Sequence, residues 1–534
     1  MSPQAVDLAL VGGHIRTLDP HAPSASAVAV GAGRIVATGG DAEIRALGAA
    51  GETIDLHGAS VVPGLVDSHI HPILGAEDTR GADLTGARTL DAVREALAAE
   101  RRRNGSDWVL GWGLEYDVFR ETGIHGELLD DAVGGAPTFV MFMDLHTGVA
   151  TPRALALAGV DGPRTFDENA EVVCLDGVPT GELRESAACA LVQQAMPSLT
   201  TRERYRLYAS TLRRFAEVGL TGLHAMDGTP ATFDLLRELE ANGDLPVRIV
   251  VPFWIRPDHT AADWDEFVAA RGLAGRRFRG GVAKFFIDGV IDAGTAWLFE
   301  PDTLGESTLP FWPDPEHYRR AVARFAGAGF QCATHAIGDR AVHETLNAYR
   351  AAGTAPGVRH RIEHIETVRP EDLRRFAAEG VVASMQAQHM MWLDPDRDDN
   401  WSRRLGPERC DRAFPIRSLR ESGAVVTLGS DWPVAHFDPR IGLAAARLRR
   451  PPGERGRRPY DDEALDGLAA LEGYTSAAAH TVGEVDRLGR IAPGYAADLT
   501  VFAEDPVSCA PDDLPSLPVL LTLVDGEVTH RAQE

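Results

Sequence analysis

A chain of 534 residues, 44% of them hydrophobic, can bury large cores, and at roughly 100–200 residues per domain it suggests two to four of them. The balance of 53 Lys+Arg against 78 Asp+Glu gives a net charge of -25, which repels phosphate backbones and anionic lipid heads and argues against nucleic acid or a membrane surface as partner. No run of 18 or more apolar residues offers a membrane span, and five dispersed cysteines without a C-x-x-C pair argue for reduced thiols in a cytoplasmic protein.

The first residues, MSPQAVDLALVGGHIRTLDP, have no basic n-region, and their apolar run breaks at Asp7 and at Gly12-Gly13, so they do not read as a secretory signal. Short strands with Gly-rich turns are expected in LALVGGHIRTLD, AVAVGAGRIVATG and ETIDLHG, and again in GRIAPGYAADLTVF and LTLVDGEVTH. Residues 1–60 and 486–534 are therefore expected to build one small β domain from both chain ends, leaving 61–485 between them. The stretch ASVVPGLVDSHIH reads as the first strand of that middle region and LTGLHAM as the second. The roughly 140 residues between them are far longer than an ordinary connection and point to an inserted subdomain at about 78–200 that shapes a substrate pocket.

From about 200 to 435 the chain alternates. In TRERYRLYASTLRRFAEVGL, Tyr205, Tyr208, Leu212 and Phe215 recur at helical spacing before Gly219 ends the helix. Further apolar runs follow at LPVRIVVPF, GGVAKFFID, FQCATHAIG, VRHRIEHIE, VVASMQAQH and AVVTLGSDW, several preceded by an amphipathic segment such as PEHYRRAVARFAGAG. Eight β/α units predict a closed parallel (β/α)8 barrel with its functional groups at the C-terminal strand ends. An open doubly wound sheet would be expected to carry a Gly-rich phosphate loop, and the sequence has none. The arginine cluster LRRPPGERGRRP at 448–459 reads as a solvated loop.

The strand ends carry the chemistry. His69 and His71 alternate on strand one, so both imidazoles can face one ion above the barrel mouth, although 18 histidines would give roughly 0.6 H-x-H pairs by chance. His335 ends strand five, His364 strand six and Asp431 strand eight, and histidine with carboxylate is the ligand set of zinc and similar divalent ions. His360 and His364 are spaced i, i+4, but a strand separates such residues by about 13 Å, so they are not read as a pair. Lys284 sits inside an apolar strand, where its ammonium is costly. It reads either as snorkelling or paired with Asp288, or as a neutral amine able to add carbon dioxide and become a metal-bridging carbamate.

Taken together and in order, LALVGGHIRTLD, VVPGLVDSHIHP, GVPTGELRESA, VAKFFIDG, HAIGDRAV, RIEHIE, GSDWPV, LGRIAPGYAADLTVF and VDGEV resemble the metal-dependent amidohydrolase superfamily, specifically the amidohydrolase family 3 branch that includes N-substituted formamide deformylases. The resemblance implies a distorted (β/α)8 TIM barrel with a β-sandwich at the termini, and two divalent ions, zinc the expected one. His69, His71 and Asp431 would hold the more buried ion, carbamylated Lys284 would bridge, and His335 with His364 would hold the second. It further implies hydrolysis of a C–N bond in an amide or an N-formyl or N-acyl compound by metal-activated hydroxide, with Asp431 moving the proton. A deaminase or a cyclic amide or lactone hydrolase on the same barrel is the alternative, and a scaffold without catalysis a third. Trp112, His146 and Glu185 resemble positions that line the pocket, and Asp288 is a further substrate-binding candidate. The partner is then a small-molecule substrate, with a homodimer left open. Two departures from the family pattern concern the pocket: Ala225 followed by Asp227 after strand two, and MQAQH at strand seven.

Overall fold

Eight short parallel strands run through the middle of the chain in the computed structural model, which describes residues 5–104, 107–454 and 461–533. They are β1 (Leu65–Ile70), β2 (Leu220–Ala225), β3 (Arg248–Trp254), β4 (Phe278–Phe286), β5 (Gln331–Ala336), β6 (Arg361–His364), β7 (Val382–Met385) and β8 (Val426–Leu428). Each pairs with its neighbour in chain order. The two ends of the sheet meet: Asp431 N–H donates to His69 O at 2.7 Å and His71 N–H to Trp432 O at 2.9 Å. The result is the TIM barrel expected from the β/α rhythm.

The outer layer follows from helical periodicity. Helix Thr201–Glu217 buries Tyr208, Leu212 and Phe215 against the strands, and Thr200 with Glu203 forms a reciprocal capping box at its start. Tyr205 lies at the rim of that face, half-buried, its hydroxyl donating to Asp244 at 2.7 Å. Helix Pro315–Gly327 buries Tyr318, Val322 and Phe325 in the same way. Inside the barrel the filling is partly polar: Arg361 lies buried on β6, where it contacts Glu363, Ser384 Oγ, Ser68 O and His224.

The stretch expected to form one first strand is two. Ser60–Pro63 pairs antiparallel with Leu499–Phe502 from the other end of the chain, and β1 starts beyond Gly64, where a Cβ would collide with Thr221 Oγ1 at 2.2 Å. Sequence alone could not separate two apolar strands joined by a single glycine. That mixed-origin sheet has six strands, and a second sheet of four strands comes from the first 55 residues, with apolar residues of both meeting in one core. Between β1 and β2 a further sheet of six strands, Ala82–Asp83 to Val178–Arg184, forms the insert. Of the arginine cluster, residues 455–459 lie outside the described residues. Arg449 corrects the loop reading: it is buried and donates to Phe414 O at 2.9 Å. No helix among the described residues is long and apolar enough to cross a membrane.

Candidate metal centre

Strand alternation on β1 turns Asp67 and His69 inward while Ile70 packs in the outer core. Asp67 stitches the barrel seam, accepting from His69 N–H at 3.1 Å and Ser430 N–H at 3.0 Å, and burial pushes its carboxyl up to about 7. His69 Nδ1 lies 2.7 Å from Glu363 Oε2, and Arg361 Nε holds the other carboxylate oxygen at 2.5 Å. Burial opposes a charged Glu363, but Arg361 and His69 hold it well below the usual carboxylate range. It therefore accepts from Nδ1–H, which leaves His69 Nε2 a bare lone pair.

That lone pair faces Asp431 Oδ1 at 3.2 Å, and His71 Nε2 reaches the same oxygen at 3.1 Å. Asp431 Oδ2 lies 3.7 Å from His364 Nδ1 and 3.6 Å from His389 Nε2. Burial and the neighbouring histidines push His364 well below its ordinary value. His69 Nε2, His364 Nδ1 and His389 Nε2 are all buried without a hydrogen-bond partner. The His69 lone pair facing a carboxylate with no proton between them is repelled by it, and a bound cation removes that repulsion. Ligand atoms of His69, His364 and Asp431 lie within 4.8 Å of one another, so the donor set fits a divalent ion.

The cluster continues sideways as a row of rings, with centroids 4.6 Å apart from His69 to His364, 4.5 Å from His364 to His335 and 5.0 Å from His335 to His146. His335 donates Nε2–H to Gly289 O at 3.0 Å, leaving Nδ1 as its lone pair. Lys284 is fully buried on β4, its Nζ without a hydrogen-bond partner and 4.7 Å from the Phe286 ring centre. Burial pushes it down to about 8, against the pull of Glu363 and Asp431. The pairing with Asp288 does not form. That carboxylate instead accepts from the backbone N–H groups of Trp297 (2.9 Å), Ile337 (3.0 Å) and Gly338 (2.8 Å), and holds the loops under the site.

Three residues of the site hold left-handed backbone: Glu185 at φ 67°, His364 at 74° and Asp431 at 61°. Such conformations cost non-glycine residues about 1–3 kcal/mol each and persist where the surroundings over-determine them. On β6, Arg361 and Glu363 face the barrel interior and Ile362 the outer core. Regular alternation would send His364 outward with Ile362; the positive φ brings it to the cluster.

His69, His71, Lys284, His335, His364 and Asp431 all line one cavity of about 160 Å³, together with His146 and Glu185 from the insert. His146 Nδ1 lies 2.7 Å from Glu185 Oε2; burial opposes its charge, but Glu185 and Asp144 bring it up to about 9. Trp112 sits in the insert's sheet, and neither it nor Asp288, 3.8 Å from His335 Nε2, lines this cavity. Asp227, part of the departure after β2, accepts from Ile73 N–H at 3.0 Å and fixes the turn beyond His71. Sequence reasoning missed Glu363 and met His389 only as the end of the MQAQH departure, without a role at the metal cluster. Glu363 was signalled by two charged residues, Arg361 and Glu363, alternating in a buried strand; His389 lies on a turn beyond β7, where no strand pattern points to it.

Residues 52–530 match the model of the amidohydrolase family. The chain is 28% identical to an N-substituted formamide deformylase of Arthrobacter pascens, over 99% of each chain. It is also 28% identical to the protein LONG AFTER FAR-RED 3 of Arabidopsis thaliana, over 98% of this chain and 91% of that one. Among solved structures it resembles an uncharacterized metal-dependent hydrolase from Pyrococcus horikoshii OT3, with a TM-score of 0.74 at 23% identity over 94% of this chain and 99% of the other.

Proposed function

The chain belongs to the amidohydrolase family of hydrolases, and on that premise we propose that it is a metal-dependent hydrolase of the C–N bond in N-formyl or N-acyl amines. The observation that carries this reading is the convergence of buried, partnerless imidazole nitrogens on the carboxylate of Asp431 at the C-terminal mouth of the barrel. Similarity to the Arthrobacter formamide deformylase along the full chain supports the choice of bond.

His69, His71, His364 and Asp431, with His335 and Lys284 beside them, would hold two divalent ions, zinc the natural candidate for this donor set. A buried amine that loses its proton near pH 8 can add carbon dioxide, so Lys284 would enter the site as an anionic carbamate. Such ions supply Lewis acidity to a carbonyl oxygen and acidify a water molecule. Asp431 accepts the proton of the attacking water and delivers it to the leaving nitrogen. One C–O bond forms, the C–N bond breaks, and a carboxylic acid and an amine leave. His146, kept protonated by Glu185, donates to the carbonyl oxygen as negative charge develops there. Glu363 keeps the His69 ring in the tautomer that turns Nε2 to the site.

The test is release of primary amine from a panel of N-formyl and N-acetyl amines by the zinc-loaded protein, beside Asp431→Asn. Amine release by the parent protein at more than a thousandfold the variant's rate supports the proposal, and equal rates overturn it.

A further inference from the structure

Past Asp431 the cavity opens into a smaller one of about 60 Å³, with His146, His335 and Asp431 lining both. Its walls are aromatic: Trp401 stacks on Phe414 at 5.4 Å, and His389 stacks on Trp392 at 5.0 Å. Three carboxylates, Asp144, Asp292 and Glu366, line it too. Each is held by neutral donors. Asp144 accepts from the Tyr116 hydroxyl at 2.7 Å and from His146 N–H at 3.0 Å, Asp292 from Asn400 Nδ2 at 2.9 Å, and Glu366 from Trp401 Nε1 at 2.7 Å.

Among the described residues no lysine or arginine comes within ion-pair distance of these three carboxylates, whereas the buried carboxylates of Asp302, Asp372 and Asp498 are each answered by arginine. Neither cavity is lined by arginine, and Lys284 is the one lysine. In the larger cavity, which shares Asp144 with the smaller one, Glu185 Oε1 is buried without a hydrogen-bond partner while His146 holds its Oε2 at 2.7 Å. Carboxylates kept in apolar walls with imidazoles as their nearest basic groups are costly, and an arriving cation offsets that cost. Aromatic faces add a cation–π attraction. An N-acyl amino acid would bring its own carboxylate into this field with no guanidinium to receive it.

We propose that the side cavity recognises an ammonium group, so that the substrates are N-acyl derivatives of amines carrying a second, protonated nitrogen. This rests on the amide-hydrolase reading above. His389 sets the scale: its ring lies between Asp431 at 3.6 Å and Glu366 at 3.8 Å, so one imidazole separates the scissile end from the ammonium end. A spacer of a few methylenes spans that gap.

The experiment compares kcat/KM for N-formyl-1,4-diaminobutane, its neutral isostere N-formylpentylamine and anionic N-formyl-5-aminopentanoate. Loss of a charged, desolvated contact predicts roughly 10- to 100-fold preference for the diamine over the isostere and a still poorer anion. Asp292→Asn and Glu366→Gln, each checked for a parental melting temperature, should lower the diamine-to-isostere ratio roughly tenfold. A ratio at or below one in the parent protein, or a ratio unmoved by both variants, overturns the inference. Hydrolysis of none of the three would instead overturn the amide-hydrolase reading. Calorimetric titration with 1,4-diaminobutane against pentylamine then decides the ammonium site alone: tighter diamine binding supports it, equal affinities overturn it.

Discussion

The two ends of the barrel treat charge in opposite ways. At the N-terminal strand ends, Arg248 grips Asp498 through two contacts of 2.5 and 3.0 Å and also reaches Asp525. Nearby, Arg277 joins Glu527 at 2.6 Å and the carbonyls of Leu245 and Val524. Arg277 Nε and Asp525 Oδ2, which make no hydrogen bond, still face each other as an ion pair at 3.6 Å, and the pairs lock the sheet built from both chain ends onto the barrel. At the C-terminal ends the same residue types stand unanswered: an imidazole lone pair faces a carboxylate, a buried amine has no acceptor, and Glu185 leaves an oxygen bare. Paired charge in this molecule is assembly, and unpaired charge is a place kept for a ligand.

Substitutions at the two ends should therefore separate catalysis from stability. The largest effect is expected from Asp431→Asn, which removes the carboxylate every imidazole faces: kcat falls by about 10³ or more, some 4 kcal/mol of transition-state stabilisation, with an unchanged circular-dichroism spectrum. Lys284→Ala should cost about 10²- to 10³-fold in kcat and lower bound metal, and acetate or propionate should restore part of both. Full activity without the acid would remove the carbamate from the account. Glu363→Gln keeps a hydrogen-bonding group beside His69 but no longer fixes its tautomer, and should weaken metal binding about 10- to 100-fold in a chelator competition. At the other end, Asp498→Asn should lower unfolding free energy by about 2 kcal/mol in denaturant melts while kcat stays at the parental value. A kcat loss there would blur the comparison.

Solvent pH sharpens it further. Carbon dioxide adds to the neutral amine alone, and Lys284 loses its proton near pH 8 because burial disfavours the charge. Below that pH the neutral fraction falls about tenfold per unit, so at a fixed partial pressure of carbon dioxide, with metal resupplied, reactivation of metal-stripped protein should accelerate from pH 6 to 8 and level off above. A rate flat across that range would contradict the assignment of Lys284.

How far the sequence revealed this site depended on how regular the backbone is. The barrel was legible because apolar runs and helical periodicity recur in order, and His69 with His71 was read from plain strand alternation. His364 and Asp431 were found by their place at strand ends, although neither reaches the cluster by alternation: each depends on a left-handed residue that no periodic pattern encodes. Glu363 escaped notice because a buried carboxylate one residue before a histidine looks like ordinary barrel filling until the ring across the barrel is known to face it. His389 and the carboxylates of the side cavity come from turns and from separate segments, so only the folded chain joins them.

The central claim is that this cluster holds divalent metal for hydrolysis, and elemental mass spectrometry of protein purified without chelator or tag histidines, with bicarbonate present, tests it most directly. The account predicts close to two ions per chain in the parent protein and a marked loss in Asp431→Asn. Protein that carries no stoichiometric metal, even after incubation with zinc or manganese, would contradict it.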